Sequence, residues 1–231
     1  MAADYDGRVI FDQLQLWIDP VKRPGPEAMA TDEWLLEISR TPVLRVYGWL
    51  GEWSSVGYFG KLTEAKASFP EIACVRRWTG GGMVDHRADW TYTLVSPREE
   101  KLTGLRGAES YRMIHGLLAE TLKAEGIEVR LSTGNEETGA SLCFENPVSH
   151  DLVDLAGRKL AGAGQRRTSR GLLHQGSVAV PCEPEQSKAR ARRLAACMSA
   201  NWHEIERNPP SENLAERVRE RYGRAAWTQR C

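Results

Sequence analysis

The sequence predicts an α+β domain with a mixed, mainly antiparallel sheet flanked by helices. Three observations point there: strand-like runs outnumber helical ones, they arrive in adjacent pairs, and no segment repeats at a fixed period. At 231 residues with 41% hydrophobic content, the chain can bury one substantial core. One domain over residues 1–231 is therefore expected, with a helical C-terminal tail from about residue 183.

The elements follow in order. "PGPEAMATDEWLLEISR" has Pro26 at a first-turn position, then Met29, Leu35, Leu36 and Ile38 at spacings that make one apolar face, so a helix is expected. Asp32, on that helix, is assigned a surface position. "VLRVYGW" (Val43 to Trp49) and "SSVGYF" (Ser54 to Phe59) are β-prone runs around a Gly-containing turn and read as a hairpin. "IACVRRW" and "DWTYTLVS" are strand-like and flank the triple glycine Gly80-Gly81-Gly82. "SYRMIHGLLAETLKAEG" places Tyr111, Ile114, Leu118 and Leu122 on one helical face, with Ser110 as the expected cap and Gly126 as the stop. Beyond it come the strand-like "GIEVRL", a polar loop "STGNEETGAS", the strand-like "DLVDLAG" and "LLHQGSVAV", and helices near Glu185 to Met198 and Ser211 to Tyr222.

Composition excludes several function classes. Lys plus Arg equals Asp plus Glu at 31 each, so the net field offers no general attraction to nucleic acid or an anionic membrane. The five cysteines are widely spaced, with no C-x-x-C pair to suggest zinc or a dithiol redox site, so no metal site is expected. The N-terminus lacks the basic and apolar regions of a signal peptide, and no apolar stretch approaches the ~20 residues that cross a bilayer. A cytoplasmic location is expected.

Two stretches carry chemistry. In "VRRWTGGGMVDH" the glycines can take positive φ and bring backbone N–H groups to a ligand, beside Arg76 and Arg77, which suit a phosphate or carboxylate; a flexible turn with surface arginines fits the same residues. "GRKLAGAG", from Gly157, lacks the Lys-Ser/Thr ending of a phosphate-binding P-loop, and no G-x-G-x-x-G opens a helix. In the second stretch, Cys143 to Val180, a thiol is followed by Lys159 in a Gly-rich turn and by His-Gln-Gly on a strand. A lysine head in a cleft can hold a carboxylate, phosphate or thioester oxygen; a solvated turn lysine is the plainer reading.

Together these stretches resemble one family. "RRWTGGGMVDH" is similar to the R-R-x-S/T-G-G-G/R-A-V-x-H signature of lipoate-protein ligases and their octanoyltransferase relatives, and "GRKLAGAGQRR" followed by "LLHQGSVAV" is similar to that family's second motif. "AMATDEWLL" and "VLRVYGWLGEWSSVGYF" resemble its first helix and early strands, so the likeness runs from Ala28 to Val180. It implies the biotin and lipoate ligase catalytic fold and an enzyme of protein lipoylation. Lys159 would then aim at the acyl carbonyl or an adenylate phosphate. Thr79, Gly80, Gly81 and Gly82, with Gly162 of the second motif, would line the acyl or adenylate slot, with Arg77 nearest any phosphate. His86 would stand at the edge of the site, or be satisfied in a turn. His174 would contribute to the slot, or point into a polar seam.

The resemblance leaves the chemistry open between two branches. Cysteine-dependent transferases pass an acyl group from a carrier protein through a thiol, and "CFENPVSHDL" around Cys143 and "DWTYTLV" resemble that branch; it implies no tightly bound cofactor. ATP-dependent ligases make an acyl-adenylate with ATP and Mg, and the three glycines resemble them. Only 51 residues follow Val180, too few for the accessory domain common among those ligases. Implied partners are lipoyl domains of 2-oxoacid dehydrogenases or the glycine cleavage H protein, with acyl carrier protein or free lipoate or octanoate as donor. A non-catalytic binder of lipoyl domains or acyl carriers and a biotin ligase are further alternatives. Met83, where the family has a small alanine, is expected to narrow or reshape the acyl slot; Asp85 stands where it has an apolar residue, and Gly164 for alanine is a minor change. Cys143 could also be a small buried hydrophobe.

Overall fold

The computed structural model describes residues 9–134 and 147–230, so Cys143 and most of the polar loop before it lie outside the described residues. In chain order the strands are β1 (Leu14–Ile18), β2 (Val43–Tyr47), β3 (Trp53–Val56), β4 (Ala73–Arg76), β5 (Met83–Asp85), β6 (Trp90–Pro97), β7 (Arg130–Leu131), β8 (Leu152–Val153), β9 (Lys159–Thr168), β10 (Gly171–Val178) and β11 (Trp202–Glu204). The helices are α1 (Gly25–Ile38), α2 (Leu62–Ser68), α3 (Lys101–Gly104), α4 (Gly107–Lys123), α5 (Pro184–Met198), α6 (Ser211–Arg217) and α7 (Ala225–Thr228), with a π-type turn over Val218–Tyr222. No helix among the described residues is long and apolar enough to cross a membrane.

Two sheets form. The larger runs in the order β11-β1-β2-β6-β10-β9-β8-β7, and the smaller is β4-β3-β5. Among the strands of the described residues antiparallel pairing dominates; β11 with β1, β1 with β2, and β3 with β4 are parallel. The α+β architecture with a mainly antiparallel sheet is thus as the sequence predicts. The expected hairpin is not: β2 joins the large sheet beside β6, whereas β3 crosses to the small sheet between β4 and β5. "GRKLAGAGQRR" is likewise no turn, because Lys159, paired with Val153 of β8, opens the ten-residue strand β9, whose Ala161–Thr168 pair with β10.

The helices cover both faces of the large sheet. Ile114, Leu117, Leu118 and Leu122 of α4 and Leu194 and Met198 of α5 pack on Leu16, Leu44 and Leu94, all at most 1% exposed. Each such side chain stabilises the fold by about 1.5–3 kcal/mol. Thus α5, the first helix beyond residue 183, adds its apolar side to this same core. Helix α4 begins at Gly107, three residues before the expected cap; Ser110 sits within its first turn and its hydroxyl donates back to the carbonyls of Arg106 and Gly107. Gly126 does lie just past the helix end, in the left-handed region at φ 80°.

Helix α1 covers the opposite face, with α6 and the π-type turn outside it. It is therefore buried on nearly every side from Ala28 to Leu36, whereas Ile38, expected on the apolar face, is 39% exposed at its end. Asp32 is a correction to its expected surface position: it is fully buried and accepts hydrogen bonds from Arg45 (2.6 Å), Thr93 (2.8 Å), Gln175 (2.7 Å) and Tyr47 (3.2 Å). Its helix is sandwiched between layers, so even its polar side faces protein.

Candidate functional site

The two sheets meet across a narrow cleft. On the large-sheet side Gly162 and Gly164 of β9 leave main chain facing it, beside Gln175, Gly176 and Ser177 of β10. Val84 and His86 face it from the small-sheet side, with Trp49 stacked on His86 at 4.2 Å between ring centroids. Met29 and Tyr47 line it too. Such an apolar slot with few polar groups suits an extended hydrocarbon chain.

The glycine loop lies between β9 and the turn after β3. A Cβ at Gly164 would collide with the carbonyl oxygen of Gly80, and one at Gly57 with that of Gly81. Of the three consecutive glycines, Gly81 takes the left-handed conformation, at φ 95°. The Thr79 hydroxyl donates to Gln175 Oε1 at 2.8 Å, and Gln175 passes the connection to Asp32. Arg77 does not point outward: one guanidinium nitrogen donates to the Gly82 carbonyl (2.7 Å) and, at longer range, that of Gly80 (3.3 Å), while another donates to Ser55 Oγ. Arg76 is fully buried, donating to the carbonyls of Gly57 and Gly60 and, in the C-terminal segment, of Thr228 and Arg230. These are therefore not surface arginines.

Lys159 packs against Gly162, on the side of β9 where a side chain there would project. Its ammonium is 2.6 Å from Asp151 Oδ2, with both side chains at most 2% exposed, and Nζ stands 2.6 Å from where a Cβ on Gly162 would be. The absence of a side chain at Gly162 thus lets the lysine head rest against the cleft-lining backbone. Asp151 also accepts from the Tyr111 hydroxyl (2.5 Å) and the Val148 N–H (2.8 Å). The Tyr111 hydroxyl in turn accepts the N–H of Ala163. The preceding residue, His150, has a positive φ of 72°, and its carbonyl accepts from His115 Nδ1 at 2.7 Å. Burial pushes the His115 imidazole down to about 4, so it stays neutral at ordinary pH.

The structure thus gathers Arg77, His86 and Gly162 around the cleft, with the Thr79–Gly82 loop packed on Gly164 and Lys159 against Gly162. His174 is on the other face of the sheet, fully buried, hydrogen-bonded to Tyr92 and Gln165; burial holds it well below the usual histidine range. It occupies a polar seam, while its neighbour Gln175 lines the cleft. Met83 does not reach the slot either: it packs on Val56 and Ala65, and Val84 faces the cleft in its place. Asp85 turns away to pair with Arg87 at 2.6 Å. The residues that sequence reasoning passed over are Asp151, Tyr111, Ser55 and Asp89. Asp151 stands in the "CFENPVSHDL" stretch, and Asp89 opens "DWTYTLV".

Known proteins place this arrangement. A model of the lipoyl protein ligase A/B catalytic domain matches residues 24–219. The octanoyltransferase LipM of Carboxydothermus hydrogenoformans is 36% identical over 186 residues, covering 75% of this chain and 68% of that protein. LipM of Bacillus subtilis is 30% identical over 175 residues, covering 68% of this chain but 62% of its own length. Among solved structures, a T. acidophilum protein with bound lipoic acid superposes with a TM-score of 0.75 at 16% identity, over 94% of this chain and 98% of its own. Lipoate-protein ligase A bound with ATP gives 0.71 at 18% identity, over 94% and 98%. At those identities the structural likeness speaks for the fold.

Proposed function

Because the chain belongs to the lipoyl protein ligase A/B catalytic family, we propose that it is an acyltransferase that places an octanoyl or lipoyl group on a lysine of a lipoyl carrier domain, through a thioester on Cys143. The observation that carries this reading is the apolar cleft with the Lys159 ammonium held against the Gly162 backbone that lines it. The acyl chain enters the slot between Val84 and the backbone of Gly162 and Gly164. Its carbonyl comes to the end of the slot where Lys159 is held, and the ammonium stabilises the oxyanion that forms as the carbonyl is attacked. The glycine loop completes the wall, with Gly81 turned so that no side chain enters the slot.

The chemistry proceeds in two balanced steps. The Cys143 thiolate attacks the thioester carbonyl of an acyl carrier protein and expels the carrier thiolate, leaving an enzyme thioester. The neutral amine of the acceptor lysine then attacks that carbonyl, forms the amide, releases the Cys143 thiolate and loses one proton to solvent. No tightly bound cofactor is needed. The octanoyltransferase relatives support this route. Lipoyl domains of 2-oxoacid dehydrogenases and the glycine cleavage H protein are the proposed acceptors.

The test is a two-arm assay on an apo lipoyl domain. One arm supplies octanoyl carrier protein without ATP, the other free lipoate with ATP and magnesium. Modification in the first arm supports the transferase; modification confined to the second makes the chain an ATP-dependent ligase. Modification in neither arm contradicts both.

A further inference from the structure

A buried relay runs from the glycine loop to the far side of the cleft through Arg77, Ser55, His86 and Asp89. Arginine is a donor alone, so Arg77 gives a hydrogen to Ser55 Oγ. The Ser55 hydroxyl then gives its own hydrogen to His86 Nε2 at 2.6 Å, its one acceptor among the described residues. With Ser55 as the donor, the imidazole carries its proton on Nδ1, 2.8 Å from Asp89 Oδ2. The other end demands the same. The Asp89 carboxylate is an acceptor alone, and it already takes the hydroxyl hydrogens of Ser177 and Thr91. Ser55 is fully buried, Arg77 is 6% exposed, and the His86 and Asp89 side chains are 4% and 2% exposed.

We propose that His86 is a positioning residue: held as its Nδ1–H tautomer between Asp89 and Ser55, it aims Arg77 at the carbonyls of Gly80 and Gly82 and so sets the glycine loop that closes the acyl slot. Both ring nitrogens are committed within this relay, so His86 exchanges no proton with substrate. What it offers the ligand is a ring face, stacked on Trp49 and forming part of the cleft wall. The identity of the ligand rests on the acyl-transfer reading; the tautomer does not.

The experiment uses the full chain, labelled with ¹⁵N-histidine, and reads the His86 ring by heteronuclear correlation at neutral pH alongside calorimetry with a non-hydrolysable octanoyl-thioester analogue. The native ring is expected to show Nδ1–H with Nε2 bare. Asp89→Asn, which can present a donor where the carboxylate accepted, should move the proton to Nε2 and weaken the analogue about tenfold or more, the scale of one buried charge-assisted hydrogen bond. Ser55→Ala cuts the relay at its middle and should weaken binding similarly while the proton stays on Nδ1. Arg87→Ala, next in sequence but exposed, should change neither reading. A native ring with its proton on Nε2, or an imidazolium, overturns the proposal, as does full affinity in Ser55→Ala. Should the native protein bind no octanoyl analogue, the acyl-transfer reading falls, while the tautomer still decides the relay.

Discussion

Lys159 and Asp151 form an ion pair at 2.6 Å that is almost wholly withdrawn from water, and the tyrosine on α4 that holds Asp151 also binds the backbone of Ala163 on β9. The lysine is thereby fixed in place before substrate arrives. Catalysis by a preorganised cation requires this, since the reorganisation cost is met in folding and not in the reaction.

Lys159→Ala is expected to lower acyl transfer by ~10² or more, the usual consequence of removing an oxyanion stabiliser. Asp151→Asn keeps the lysine but removes its counter-charge, and should lower both turnover and the melting temperature, because a buried ion left without its partner costs about 3–5 kcal/mol. Transfer assays and thermal melts on the two variants check this. Near-native turnover in a folded Lys159→Ala protein would remove the lysine from the mechanism.

Gly81 has φ 95°, and its carbonyl lies against Gly57. Gly81→Val should therefore abolish octanoyl-analogue binding, since a β-branched residue is strained there and its side chain meets the crowded junction of Arg77 with β9. Gly57→Ala, which touches the loop from behind, should weaken binding and destabilise the fold by about 1–3 kcal/mol. Calorimetry with the analogue is the check; unchanged affinity in both variants would reduce the loop to a connection.

Asp32 anchors the opposite end of the polar chain that runs through Gln175 to Thr79. Asp32→Ala leaves the fully buried Arg45 with one carboxylate, Asp19, in place of two. A loss of about 3–5 kcal/mol is expected in urea unfolding, whereas a loss below about 1 kcal/mol would return Asp32 to the surface position that its helix pattern suggests.

The neutral His115 imparts a pH dependence. Its folded pKa, about 4, lies below the ordinary value of 6.5, so between those limits the unfolded chain binds more protons and stability falls as the pH falls. From this residue the slope is at most ~1.4 kcal/mol per pH unit, and His174, also held low by burial, adds in the same direction. His115→Gln should show a shallower loss than the native chain between pH 6.5 and 4.5 in urea titrations. Parallel curves would place the pH dependence elsewhere.

How much of this is legible in the sequence depends on contact distance along the chain. The glycine loop and Lys159 each stand inside a contiguous motif, so both can be found by reading. Tyr111 and Asp151 are 40 residues apart, and Thr79 and Gln175 are 96 apart. Their meeting is decided by which strands pair, a choice that local pattern does not encode. The same limit explains the mistaken hairpin: the Gly-containing turn after β2 is real, but the chain uses it to change sheets. It explains Asp32 as well, since period 3.6 marks a polar face without saying whether solvent or Arg45 awaits it. Met83 and Val84 differ by one position on β5, and only the strand's orientation shows that valine faces the slot.

The most direct test of the account is intact-protein mass spectrometry after mixing the chain with octanoyl carrier protein and no ATP. A single octanoyl adduct is predicted on the native protein, labile to hydroxylamine as a thioester is, absent from Cys143→Ser and retained in Cys182→Ser and Cys197→Ser. Passage of that adduct to an apo lipoyl domain would complete the reaction. No adduct on the native chain, together with ATP-dependent lipoylation by Cys143→Ser at the native rate, would contradict the thioester route and make the protein an adenylate-forming ligase.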